Sequence, residues 1–144
     1  MTVHAQIKSY ISSIPIPKQN DLEALHAFIL SVLPGCKLQF YDGKNNEGKT
    51  VSNPTIGYGT QMIKYANGKS REYFQIGLSA NKTGISVYIL GIRDKTYLSR
   101  TFGTKIGKAS ITGYCIKFNA LKNINLEILG DAVRYGVEVT LRNS

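Results

Sequence analysis

Two turn signals, Asn67-Gly68 and Asn81-Lys82-Thr83-Gly84, bracket one run of alternating apolar residues, and this arrangement constrains the fold more than anything else in the chain. Residues 71–80 put Phe74, Ile76, Leu78 and Ala80 on one side of an extended chain, and Arg71, Tyr73, Gln75, Gly77 and Ser79 on the other, because successive side chains of a strand point to opposite faces. A strand held between two such turns is the middle of an antiparallel meander. Asn67-Gly68 predicts a two-residue hairpin turn with both residues at positive φ, joining residues 55–65 to residues 71–80; the second turn leads into residues 85–90. The turn lengths place Leu78 opposite Val87 and Ile76 opposite Ile89, with Gly59 opposite Ile76 and Gly57 opposite Leu78. Glycines on the inner face would let a helix approach closely. The outer face then presents Tyr58, Thr60 and Met62, beside Tyr73, Gln75 and Gly77, beside Ser86, Tyr88 and Leu90. A one-residue bulge would swap the faces of the first strand.

Helices flank the meander. Val3, Ile7, Tyr10, Ile11 and Ile14 recur at helical spacing until Pro15 and Pro17 stop the run. Asn20-Asp21-Leu22-Glu23 fits a capping box, followed by the stripe Leu22, Leu25, Ile29 and Val32, which Pro34-Gly35 ends. Residues 37–41 read as a short edge strand, and residues 42–54 as a polar surface loop rich in Gly and Asn. Residues 94–102 read as a short helix. Residues 111–118, apolar on both faces, read as a central strand. A last helix begins near Asn123 or Asn125 and carries Leu126, Leu129, Val133 and Val137 on one stripe. The fold class is therefore α+β: an antiparallel sheet of about four or five strands packed against N- and C-terminal helices, forming one domain over residues 1–144.

Composition narrows the function classes. A hydrophobic fraction of 42% is enough for a packed core. No apolar run is long enough to span a membrane, and the opening residues, with His4, Gln6 and Lys8, lack a signal-peptide core, so a cytoplasmic location is expected. Eighteen Lys and Arg stand against nine Asp and Glu, a formal net charge of +9. Such a balance favours anionic partners. Cys36 and Cys115 are far apart and form no C-x-x-C motif, so they read as buried free thiols.

Catalytic motifs are missing. Both histidines, His4 and His26, lie in the N-terminal helices, and no serine sits in a G-x-S-x-G elbow. The segment from Gly103 to Lys108 is one residue short of a phosphate loop and has Ala109 in place of the metal-binding hydroxyl. Its glycines could still expose backbone N–H groups to an anion beside Lys105 and Lys108. Tyr58, Tyr73 and Tyr88, with Arg71 and Lys64, form a candidate stacking platform on the sheet for single-stranded nucleic acid. The expectation is a non-catalytic domain without a cofactor that binds a small anion or an acidic partner between Tyr58, Tyr73 and Tyr88, with Arg71, Lys105 and Lys108 as anion contacts. The mixed outer face is compatible with a monomer or a homodimer.

Five segments in order resemble the YdhG-like family. The opening Ser9-Tyr10-Ile11, Ile14-Pro15 and Asp21-Leu22-Glu23-Ala24-Leu25 is followed by Ile56-Gly57-Tyr58-Gly59 with Ile63-Lys64-Tyr65-Ala66-Asn67-Gly68. Ile76-Gly77-Leu78-Ser79 and Val87-Tyr88-Ile89-Leu90 come next, then the Gly-Lys segment from Thr104 to Ser110, then Leu126-Glu127-Ile128-Leu129. The resemblance implies a compact α+β fold grouped with frataxin-like and YjbR-like proteins, most of them without an assigned reaction. It also implies an alternative role as an iron chaperone working through acidic surface residues. Residues 3–14 hold no carboxylate, so the acids available for that role are Glu127 and Asp131, four apart on the last helix, with Asp21 and Glu23.

Overall fold

The computed structural model describes residues 1–142. Helix α1 (Val3–Ser13) starts at Thr2, whose hydroxyl accepts the Ala5 N–H at 3.1 Å. Helix α2 (Lys18–Val32) begins three residues earlier than a capping box at Asn20 requires, and Pro17 occupies its cap position with no side-chain bond. Proline suits this place because the first turn of a helix has no use for its missing N–H. Leu22, Leu25 and Ile29 are fully buried, each contributing about 1.5–3 kcal/mol of apolar burial.

Six strands form one antiparallel sheet in the order β1-β2-β5-β6-β8-β7, and β3 and β4 pair separately. The ranges are β1 Leu38–Tyr41, β2 Thr55–Tyr58, β3 Gln61–Lys64, β4 Ser70–Tyr73, β5 Ile76–Asn81, β6 Gly84–Ile89, β7 Ser110–Thr112 and β8 Cys115–Phe118. Helix α3 (Tyr97–Phe102) precedes the β7–β8 hairpin. Helix α4 (Leu126–Arg142) closes the described chain, capped by the Asn125 side chain, which accepts from Glu127 N–H at 3.0 Å and Ile128 N–H at 3.3 Å. The antiparallel α+β class is as expected, with more strands because three long runs break. The run expected over residues 111–118 is a hairpin turning at Gly113, and it ends the sheet instead of lying at its centre.

The decisive break is at Gly59, whose φ is +74°. It ends β2 and lifts the β3–β4 hairpin off the sheet. The turn at its tip also differs from the two-residue form. Only Gly68 has positive φ, while Tyr65 N–H donates to Lys69 O at 2.9 Å and Gly68 N–H to Tyr65 O at 3.1 Å. Asn67 accepts the Lys69 N–H on its side chain instead of entering the left-handed region. With Gly59 out of the ladder, Tyr58 pairs with Ile76 and Gly57 with Gly77. The first strand is therefore shifted by one residue from the expected register, and its faces are exchanged. The other expected pairings hold, Leu78 opposite Val87 and Ile76 opposite Ile89.

The inner face carries Ile56, Tyr58, Ile76, Leu78, Val87, Ile89 and Ile116 against α1, α2 and α4. The close helix approach is supplied by the helix, not by the sheet. A Cβ on Gly136 of α4 would stand 2.4 Å from Ile89 Cγ2. Gly57 and Gly77 lie side by side on the outer face, and Phe74 folds across them: a Cβ on Gly57 would meet Phe74 Cβ at 2.8 Å, and one on Gly77 would meet Phe74 Cε2 at 2.7 Å. Where β5 runs past its last β2 partner, the Ala80 N–H is taken by the Tyr10 hydroxyl at 2.9 Å. Gly77→Ala should cost about 1–3 kcal/mol in urea denaturation. Most of that cost should vanish in a Phe74→Leu background, whose shorter side chain clears the site. An equal cost in both backgrounds would contradict the contact.

Candidate functional site

The outer face of the sheet gathers aromatic side chains in an order the glycine pair dictates. Phe74 fills the trough above Gly57 and Gly77 and is itself only 4% exposed. Tyr73 packs on Phe74 at 4.3 Å between ring centroids, and Tyr41 from β1 meets Tyr73 edge-on at 5.2 Å. Across the trough, Tyr88 of β6 lies 6.0 Å from Tyr114 of the β7–β8 turn. An open hollow of about 430 Å³ lies between Tyr73, Tyr88 and Tyr114, floored by Phe74 and bounded by Ser52 and Asn53 of the 42–54 loop. A second hollow of about 360 Å³ shares Ser52 and Tyr73 with the first and continues to Tyr41, Lys44 and Arg71. The two hollows meet at Tyr73.

Arg71 lines the second hollow beside Tyr73. Its guanidinium lies 4.9 Å from the Tyr73 ring centroid, a cation–π contact. Among the described residues the ion pairs are Lys37 with Glu72, Arg100 with Asp94 and Arg134 with Asp131, so Arg71 has no carboxylate partner. The first hollow has no acid in its lining. The second has only Asp42, whose side chain accepts the Lys44 N–H at 2.9 Å. Burial raises the pKa of Tyr73, Tyr88 and Tyr41, so these phenols stay neutral near pH 7 and do not repel an anion.

The sequence-derived site is brought together only in part. Tyr73, Tyr88 and Arg71 share the outer face. Tyr58 does not: the register shift turns it inward, where it is fully buried, and its hydroxyl shares a hydrogen bond with His26 Nδ1 at 2.7 Å. Lys64 pairs with Ser70 on the side of the β3–β4 hairpin opposite to Arg71 and Tyr73. Lys105 and Lys108 line neither aromatic hollow. Lys108 borders a separate one with Lys117 and Ser110 at the β7 edge. Several backbone donors of this segment are already used: Lys105 N–H bonds Phe102 O at 3.0 Å, Lys108 N–H bonds Asn123 O at 2.9 Å, and Ala109 N–H bonds Gly107 O at 3.0 Å. These donors are not free for an anion. Reasoning from sequence missed Tyr41, Phe74 and Tyr114. Alternation places Phe74 on the inner face with Ile76 and Leu78, whereas it is buried on the outer one, and Tyr114 shows no signal until residues 111–118 are recognised as a hairpin.

The acidic candidates are dispersed. Asp131 pairs with Arg134 at 3.2 Å, Asp21 accepts the Leu121 N–H at 3.1 Å, and Glu127 is exposed in the first turn of α4. Glu23 shares a hollow between α1 and α2 with His4 and His26. Among the described residues no group of three or more His, Cys, Asp and Glu is placed to hold a metal ion. Cys36 and Cys115 are half-buried free thiols whose pKa is raised by burial, the reverse of nucleophile activation. A further hollow, about 540 Å³ at the α1–α2 turn, is lined mainly by Pro15, Ile16, Pro17, Pro54 and Ala80, and Lys18 there is tied to Asn81 O at 2.5 Å. Lys82 and Tyr10 also border it, but the Tyr10 ring is buried and its hydroxyl accepts the Ala80 N–H, so no open stacking ring faces this hollow.

No protein-family model, no curated protein and no solved structure matches the chain.

His26 supplies a check on the inner face. Burial lowers its pKa below 6.5, with a further push from His4. The unfolded chain then binds more protons, so stability from this group is complete above the ordinary histidine value and falls as pH drops through it. Melting curves between about pH 8 and about pH 5.5 should show a decline that His26→Gln flattens. An unchanged slope in the variant would place the titrating group elsewhere.

Proposed function

We propose that this protein is a non-catalytic binding module that takes an anionic ligand, either a small anion or one carried by an acidic partner, on the outer face of its sheet. The observation that carries this reading is Arg71: a guanidinium over the Tyr73 ring, without a carboxylate partner among the described residues, in the second of two hollows that share Tyr73 and together hold one acid. A guanidinium in contact with a ring gives up less freedom when it binds an oxyanion and presents its donors as a fork. The net charge of +9 adds a long-range field that draws anions toward the surface. No side chain near Arg71 resembles an activated nucleophile, and His26 is committed to Tyr58. Kinship with the YdhG-like family belongs to the same proposal and rests on the ordered segments of the sequence. The iron alternative is not favoured, because its acids are dispersed over α2 and α4.

The test is calorimetric titration at low salt with inorganic tripolyphosphate and with a short polyglutamate peptide. At least one should bind, and Arg71→Ala should weaken binding about tenfold, in line with the loss of one charge-assisted contact. The pair Lys105→Ala and Lys108→Ala should leave it unchanged. Absence of heat from both ligands, or loss of binding on the lysine substitutions alone, would overturn the assignment.

A further inference from the structure

We infer that the anion received at this face is the backbone of a single-stranded nucleic acid, its bases stacked on the tyrosines; the inference rests on the anion-binding reading above. Three observations lead there. First, the rings are available. Tyr114 is 53% exposed, and Tyr41, Tyr73 and Tyr88 are part-buried. Base–aromatic stacking needs an open ring face and tolerates any base; Tyr114 is the most open of the four, while the Tyr73 ring also carries Phe74 and Arg71. Second, the path is long. From Tyr114 beside β8 to Tyr41 on β1 it crosses four strand spacings, about 19 Å, through two hollows joined at Tyr73. A lone nucleotide would fill one hollow and leave the other empty. Third, the charge is complementary and asymmetric. Arg71 and Lys44 lie at one end of the path, while the stretch between Tyr88 and Tyr73 carries no charged side chain in its lining. Phosphates would track the cationic end as bases enter the uncharged hollow. An acidic peptide would satisfy Arg71 and leave the rings without a planar partner. A duplex keeps its bases stacked internally and offers the rings nothing.

The Gly57–Gly77 pair is what makes the platform. With a side chain at either position Phe74 could not lie flat, and Tyr73 would lose its support.

The experiment is fluorescence anisotropy with a labelled eight-nucleotide DNA strand at low salt, competed by the unlabelled strand, by a duplex of the same sequence, by a mononucleotide and by tripolyphosphate. The strand should bind with a log–log salt slope of about −1.4, two phosphates at about −0.7 each for Arg71 and Lys44. Tyr73→Ala and Tyr114→Ala should each weaken it about 5- to 150-fold, and the Phe substitutions much less, because stacking survives the loss of the hydroxyl. Tyr114 is exposed, so its variants fold, and circular dichroism checks Tyr73→Ala. Competition by the mononucleotide as effective as by the strand, or binding of the duplex as tight as that of the strand, would overturn the inference. Tyrosine variants that bind like the parent would also overturn it. Tripolyphosphate binding through Arg71 without strand binding would overturn it and leave the anion site standing. Silence from every anion, polyglutamate included, would remove both.

Discussion

Gly59 is the hinge on which the two faces of this sheet depend. At φ +74° it occupies a backbone region that side chains disfavour, and a Cβ there would run into the Gln75 side chain at 2.1 Å. Because the chain leaves the ladder at this point, β2 ends at Tyr58 and the following hairpin rises away from the sheet. The same step sets the β2–β5 register. Tyr58 goes inward to His26, Gly57 meets Gly77 on the outside, and Phe74 lies down over the glycine pair. Gln75, at the matching break between β4 and β5, is buried and donates to the Thr140 hydroxyl of α4, while its carbonyl accepts from Leu90 N–H at 3.0 Å. Both strand breaks are thus stitched into the surrounding structure.

The consequence is a sheet with two unlike sides. The inner side is aliphatic and closed by α1, α2 and α4, with Gly136 letting α4 settle against Ile76 and Ile89. The outer side is aromatic and open, and its cations are short of partners. Ion pairing is sparse on this protein: among the described residues three of the eighteen Lys and Arg stand in ion pairs. A surface with so much unpaired positive charge attracts anions generally. What distinguishes the outer face is a guanidinium already oriented by a ring, so that part of the ordering cost of binding is met in advance.

Much of the architecture could be read directly from the chain. The apolar stripes of α1, α2 and α4 appear where the periodicity places them, since helices bury one face and say so in their spacing. The β5–β6 register follows from the length of the turn between them. Tyr73, Tyr88 and Arg71 were recognisable as outer-face residues from the alternation of residues 71–80 and 85–90. A glycine at positive φ reads in sequence like any other strand glycine, so residues 55–65, broken at Gly59, and residues 111–118, broken at Gly113, each read as one strand. The slip at Gly59 carried Tyr58 to the wrong side. Lys105 and Lys108 join the tyrosines in the sequence reading through their charge and the glycines beside them, and neither carries information about where a loop lies.

Between the turn signals, then, the sequence by itself determined that an alternating strand must sit at the heart of an antiparallel meander, flanked by amphipathic helices. Local rules suffice for this, because side-chain period and turn length act over a few residues. Only the tertiary structure decided which tyrosines look outward, that Phe74 covers Gly57 and Gly77, and that Tyr41 and Tyr114 join Arg71 at one surface. These outcomes depend on contacts between residues far apart in the chain and on one backbone angle at Gly59, and neither is written in the pattern of apolar and polar residues.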